Sequence, residues 1–256
     1  MQLIDSHCHF DFDAFAPDRD LVWRRCKEAG VTQLIIPGVS IEQWPDLAAL
    51  VQRESAWHAA IGVHPWWVSR LDVAPAELEQ TICTEAAGRH FVAVGECGLD
   101  AATDAPMDLQ LAVFRAQVLA ACRLNLPLIV HVHKAHNETL RLLKELQPPR
   151  GGVIHAFSGS EQMAGDYWSL GFYLGIGGTI TYERAAKTRR AVAAAPLESL
   201  LLESDAPDMP LAGRQGERNS PAYMPEVAET LAQLRGQSVE EIARQTRKNT
   251  QQLFAL

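Results

Sequence analysis

Gln2-Leu3-Ile4-Asp5-Ser6-His7-Cys8-His9 opens apolar and closes on two histidines separated by one residue. An extended chain turns alternate side chains to one face, so a strand here carries His7 and His9 on one side and Cys8 on the other. Two imidazoles on one face can grip a single ion. The pattern of an apolar run ending in a potential ligand then recurs along the chain. It is seen at Gly62-Val63-His64-Pro65, at Gly95-Glu96, at His131-Val132-His133, at His155 and at Glu203-Ser204-Asp205.

Working outward, strands are predicted near Gln2–His9, Gln33–Pro37, His58–Val63, Phe91–Glu96, Leu128–His133, Val153–Phe157, Phe172–Gly177 and Leu200–Ser204. Helical patterns fill the gaps near Asp18–Ala29, Ile41–Arg53, Pro75–Ala87, Met107–Leu124, Asn137–Leu146, Ser160–Leu170, Tyr182–Ala194 and Ala222–Leu234, with a last one near Val239–Phe254. Strand and helix alternating about eight times predict an α/β fold, a closed (β/α)8 TIM barrel. Such a barrel assembles its site at the C-terminal ends of the strands, where these ionisable residues fall. The segment Ala206–Pro221, rich in proline and glycine, follows the last strand and reads as a long functional loop.

Composition agrees. The 256 residues, with 47% hydrophobic, suffice for the core of one barrel, so residues 1–256 are read as a single domain. Lys and Arg number 23 against 31 Asp and Glu, a net charge of −8, which argues against broad electrostatic capture of nucleic acid but leaves room for a phosphodiester held locally by metal ions. Five cysteines without a CxxC pair speak against a disulfide framework or a thiolate zinc knuckle. The N-terminus lacks the basic and apolar regions of a signal peptide, and Arg115, Arg123 and Asn125 interrupt the apolar stretch Leu109–Val130. A cytoplasmic protein with no membrane span and no obligate protein partner is expected.

An unpaired polar group in an apolar interior costs about 1 to 3 kcal/mol, and an unpaired charge more. Metal coordination turns such groups into complements of one another. Nitrogen and carboxylate donors suit zinc, manganese and similar ions, and more than four candidates point to two divalent ions. His58 and His90 fall at strand beginnings and are read as structural, His136 as flanking the fifth helix, and Cys8 and Cys97 as packing. Trp66 and Trp67 read equally as a substrate mouth, a base-stacking surface or a lid anchor.

These residues resemble the TatD family of metal-dependent deoxyribonucleases, within the amidohydrolase-like barrels. The resemblance runs through Asp5-Ser6-His7-Cys8-His9, Gly62-Val63-His64-Pro65, Gly95-Glu96-Cys97-Gly98-Leu99-Asp100, Leu128-Ile129-Val130-His131, His155-Ala156-Phe157-Ser158-Gly159, Glu203-Ser204-Asp205-Ala206-Pro207 and Asn249 near Phe254. It implies that His7, His9, Glu96 and Asp205 hold one metal, and that Glu96 bridges to a second held also by His131 and His155. It further implies catalytic roles for Asp205, as the residue that orients or deprotonates the attacking water, and for Glu96. His64 is similar to the family histidine that either supports the metal ligands or contacts phosphate. Two departures are visible. After His131 the family commonly has a small polar residue and an arginine, where this chain has Val132, His133 and Lys134, so His133 and Lys134 are expected to make a different substrate contact. The aromatic residues common after Gly-Leu-Asp are replaced by Ala101-Ala102-Thr103-Asp104.

The expected activity is metal-assisted hydrolysis, foremost a phosphodiesterase or deoxyribonuclease acting on DNA ends or oligonucleotides, with zinc, magnesium or manganese as the ions. Lys134, Arg184, Arg214 and Arg218 are the basic residues that lean toward phosphate. The competing reading is hydrolysis of a carbon-centred ester or amide by the same centre. A non-enzymatic zinc module fits less well, because structural zinc sites are closed and four-coordinate.

Overall fold

Eight strands pair side by side, all parallel and in chain order, in a computed structural model that describes residues 1–256. They are β1 Leu3–Asp5, β2 Val31–Pro37, β3 Trp57–Ile61, β4 Phe91–Asp100, β5 Leu128–His133, β6 Gly152–Ile154, β7 Phe172–Ile176 and β8 Leu200–Leu202. The helices are α1 Arg19–Glu28, α2 Trp44–Val51, α3 Pro75–Ala86, α4 Met107–Leu124, α5 His136–Leu146, α6 Glu161–Ser169, α7 Ala186–Ala194, α8 Met224–Arg235 and α9 Val239–Phe254. None of them is long and apolar enough to cross a membrane.

Local chemistry places several helix boundaries. Pro75, which needs no N–H partner, occupies the first turn of α3. The Ser160 and Ser238 hydroxyls accept hydrogen bonds from the Met163 and Glu241 N–H groups at the starts of α6 and α9. Asn125, at φ +53°, ends α4.

Alternation along the strands makes two apolar layers. Leu34, Ile36, Val94, Leu128, Val130, Leu200 and Leu202 face outward into the core shared with the helices. Ile35, Ala60, Ala93, Ile129, Val153 and Leu201 face inward, where Leu253 and Phe254 at the end of α9 join them. The barrel is therefore filled rather than hollow, and its lower end is plugged by α9. Two bonds fix that plug: Arg150, just before β6, donates to the Leu253 carbonyl, and the Asn249 amide donates to the Leu197 and Leu200 carbonyls at the entry to β8.

The seam between β1 and β8 closes just above the strands. Ser6 N–H donates to the Leu202 carbonyl (3.0 Å), Asp205 N–H to His7 (2.9 Å) and His9 N–H to Ala206 (2.8 Å). The buried Asp5 carboxylate ties both sides, accepting from the Ser204 N–H (2.9 Å), the Ser204 hydroxyl (2.6 Å) and the His7 N–H (3.2 Å). Burial pushes the Asp5 carboxyl up to about 7, against the pull of the Ser204 hydrogen bonds.

Several expected boundaries are corrected. β1 ends at Asp5, β6 at Ile154 and β8 at Leu202, so His7, His9, His155, Glu203 and Asp205 lie beyond the strands. β4 instead runs past Glu96 to Asp100, because a bulge lets it resume pairing with β5 from Cys97 opposite Val130 to Asp100 opposite His133. α7 starts at Ala186 rather than Tyr182. The extended backbone of Tyr182 separates two 3-10 turns there, and its hydroxyl donates to the Pro210 carbonyl.

Candidate metal centre

Strand pairing hands each ionisable residue to the site. Beyond the strand ends the main chain keeps its inter-strand bonds: Cys8 N–H to Ile35, His64 to Val39, Glu96 to Gly38, His155 to Val130 and Glu203 to Ile176. Alternation therefore continues past β1, with Cys8 buried in the outer core and His7 and His9 turned inward, their Nε2 atoms 3.3 Å apart. The bulge in β4 does the same for Glu96. Val94 and Cys97 both face outward across three residues instead of two, so Glu96 swings into the barrel mouth.

Glu96 is the hub. One carboxylate oxygen lies 3.1 Å from His7 Nε2 and 3.4 Å from His9 Nε2. The other lies 3.1 Å from His131 Nδ1, 3.3 Å from His64 Nε2 and 4.0 Å from His155 Nε2. Asp205 faces it across the mouth, with Oδ1 3.5 Å from His155 Nε2, 3.6 Å from His7 Nε2 and 3.7 Å from His9 Nε2. The His7 and His155 rings stack at 3.5 Å. Three groups bring their side-chain nitrogen and oxygen atoms within 4.8 Å of one another: His7–Glu96–His155, His7–His9–Asp205 and His64–Glu96–His131.

The donors fit divalent metals on an observation independent of any relative. Glu96 Oε2 is buried without a hydrogen-bond partner while two imidazole nitrogens point at it and at each other. A cation supplies the partner that this arrangement lacks.

Electrostatics follow the same layout. Burial pushes the Glu96 carboxyl up, but His64, His7 and the hydrogen bond to His131 outweigh it and hold the group well below the carboxylate range. Asp205 is held down likewise, burial being outweighed by His155, His7 and His9. Burial pulls His131 down, yet Asp100 and Glu96 lift it to about 9, while Glu203 and Asp205 lift His155 well above the ordinary imidazole value.

Two residues outside the predicted set orient these rings. Asp100 Oδ2 lies 3.2 Å from His131 Nε2, and Glu203 Oε1 lies 3.0 Å from His155 Nδ1. Each leaves the opposite ring nitrogen facing the Glu96 and Asp205 carboxylates, the carboxylate–histidine–metal arrangement of many metal sites. Gly175 makes room for Glu203, since a Cβ there would stand 2.1 Å from its carboxylate. Both acids stand in the quoted strand-end motifs, which was the available signal.

The His64 tautomer is fixed by its neighbour. Its Nδ1 accepts the Trp66 main-chain N–H at 3.1 Å, so the proton of the neutral ring sits on Nε2, toward Glu96. Burial lowers the His64 pKa and keeps the ring neutral. His64 is thus a hydrogen-bond donor in the cluster and offers no lone pair to an ion.

His133 reaches the rim, where it lines a cavity of about 380 Å³ with His131, Asp100, Trp66, Ala102, Thr103 and Asp104. Lys134 follows at φ +53°, exposed and outside that lining. Two of the basic residues expected to favour phosphate are engaged elsewhere. Arg214 pairs with Glu226 and packs over Tyr223, and Arg218 grips Asp18 through both carboxylate oxygens, so these arginines staple the loop after β8 to α8 and α1.

A profile described as TatD related DNase matches residues 4–255. The chain belongs to this family. The metal-dependent hydrolase YjjV of Escherichia coli K12 is 42% identical over 255 residues, covering 99% of this chain and 98% of that one. The crystal structure of that TatD homologue superposes with a TM-score of 0.93 at 41% identity, over 99% of this chain and 98% of the other. A protein named 3'-5' ssDNA/RNA exonuclease TatD, from Erwinia amylovora, is 34% identical over 94% of this chain and 95% of its own length.

For this TatD-family chain, ligation requires neutral imidazoles, whereas His131 and His155 are protonated near pH 7 without metal. Metal affinity is expected to rise with pH between 6.5 and 8.5, by up to ~10-fold per pH unit for each proton displaced. Calorimetric metal titrations at several pH values measure it, and a flat profile would remove both histidines from the ligand set.

Proposed function

We propose that this protein is a divalent-metal-dependent phosphodiesterase that removes nucleotides from the ends of single-stranded nucleic acid, DNA foremost. The observation that carries the reading is Glu96, its two oxygens each facing a separate set of imidazoles, which suits a carboxylate shared by two ions. His7, His9, Glu96 and Asp205 would hold one ion; Glu96, His131 and His155 the other. When bound, such ions acidify water and neutralise the charge that grows on the phosphoryl oxygens.

The remaining work falls to this chain's own groups. Asp205 is kept ionised, so it can accept the proton of the attacking water. His64 directs its Nε2 proton toward Glu96, where it would donate to that carboxylate or to a phosphoryl oxygen bound beside it. Asp100 and Glu203 hold the His131 and His155 rings, and His133, which lines the same cavity as His131, would contact an incoming strand. The 34%-identical relative named as a 3'-5' exonuclease supports the substrate class.

A second reading, hydrolysis of a carbon-centred ester or amide, draws on the groove at the other side of the centre. This groove, about 760 Å³, is lined by Asp11, Asp13, Glu42 and Asp46 beside Phe12, Trp67 and one cation, Arg19, and the excess of acids disfavours a phosphate chain.

One experiment separates the readings. Chelator-stripped protein is given end-labelled single-stranded DNA, an aryl ester and an amide, with and without magnesium, manganese or zinc. Metal-dependent shortening of the DNA is expected; turnover of the ester or amide with intact DNA would replace the first reading by the second.

A further inference from the structure

Trp66 stands out among the large apolar side chains. It is 60% exposed, against 48% for Met1, 42% for Leu21, 41% for Met209 and 38% for Leu119. Its indole N–H donates to Asp100 Oδ2 at 2.8 Å, and the same oxygen contacts the His131 ring. The polar end of the side chain is therefore satisfied and its orientation fixed, leaving an apolar π-face for another partner. Trp66 borders the 380 Å³ cavity whose lining includes His131, so this side chain and one histidine of the candidate metal cluster open into one space. The ring also stands edge-on to His64 at 5.4 Å between centroids.

We propose that Trp66 is the stacking surface for the base of the nucleotide being removed, and that it makes the enzyme prefer ends bearing a planar base. The proposal rests on the phosphodiesterase reading above. A base attached to a phosphoryl group at the cluster needs a flat, apolar partner about one nucleotide away. Trp66 is anchored at the cavity rim before any substrate arrives, so little side-chain freedom is lost when a base stacks on it. Stacking of this kind is indifferent to which base is present, because every base has a π-face.

The test compares Trp66→Ala and Trp66→Phe with the parent protein on single-stranded DNA whose cleaved end carries either adenine or an abasic unit. Both substitutions keep the main-chain N–H that holds His64. Trp66→Ala is expected to raise KM for the base-bearing end about 5- to 100-fold more than KM for the abasic end, with any change in kcat the same for both ends. Trp66→Phe is expected to recover most of the loss. Equal effects on both ends, or a fall in kcat alone, would overturn the proposal by making Trp66 a support for Asp100.

A binding arm does not depend on turnover. Metal-loaded protein is titrated with dAMP and with deoxyribose 5-phosphate by calorimetry. Tighter binding of dAMP that disappears in Trp66→Ala supports the stacking role. No preference for dAMP in the parent protein overturns it. If DNA is not cleaved at all, the phosphodiesterase reading fails, and this arm still decides whether Trp66 recognises a base.

Discussion

Replacing Glu96 by Ala is expected to lower metal content and activity together, with turnover falling by roughly 10²- to 10³-fold, as for loss of a central electrostatic group. Both oxygens of this carboxylate face imidazoles, so its removal withdraws a donor from each of two sets at once. It also takes away a negative charge that helps lift His131 to about 9, so that ring's pKa falls. Elemental analysis of dialysed protein, paired with turnover at saturating manganese, measures both effects. Unchanged metal stoichiometry would refute the shared carboxylate.

Asp205→Asn is expected to lower kcat by about 10²- to 10⁴-fold, the usual range for a lost proton acceptor, and to leave the fold nearly intact. The main chain explains the second half of that expectation. Asp205 N–H donates to His7 and its carbonyl accepts from Asp208 N–H, and neither bond needs the side chain. The residue also sits at φ +56°, a left-handed conformation that Asn adopts readily and β-branched residues do not. A thermal midpoint near the parent value with turnover collapsed is the expected pair of results. Turnover near the parent value would remove Asp205 from proton transfer.

How much of this was legible in the sequence differs from residue to residue. The alternating apolar runs predicted all eight strands, because burial against helices on one side and the barrel interior on the other leaves few polar positions. The inward pairing of His7 and His9 was legible too, although the strand stops at Asp5, since alternation needs only an extended chain. Glu96 was found by its motif, but the bulge that turns it inward depends on pairing with β5, which no local pattern records.

Asp100 and Glu203 were visible as letters yet missed as partners of His131 and His155. Those pairs join residues 31 and 48 positions apart, respectively, through the fold alone. Arg214 and Arg218 were misread for the converse reason. Their partners Glu226 and Asp18 cannot be recognised until the loop after β8 is laid against α8 and α1. The His64 tautomer follows from a main-chain N–H two residues on, a constraint of local geometry that residue identity does not carry.

The seam sets a schedule for the chain during synthesis. Asp5 and Ser204 are 199 residues apart, and their hydrogen bonds bring the first and last strands together. His7, His9, Glu96, His131 and His155 all leave the ribosome before Asp205, so a nascent chain carries most of the proposed ligands without the acid that faces them. The docking of β8 that completes the barrel also completes the cluster. Under the proposed ligand set, a chain that has not yet docked β8 lacks Asp205 opposite the imidazoles, so the cluster forms only as the barrel closes.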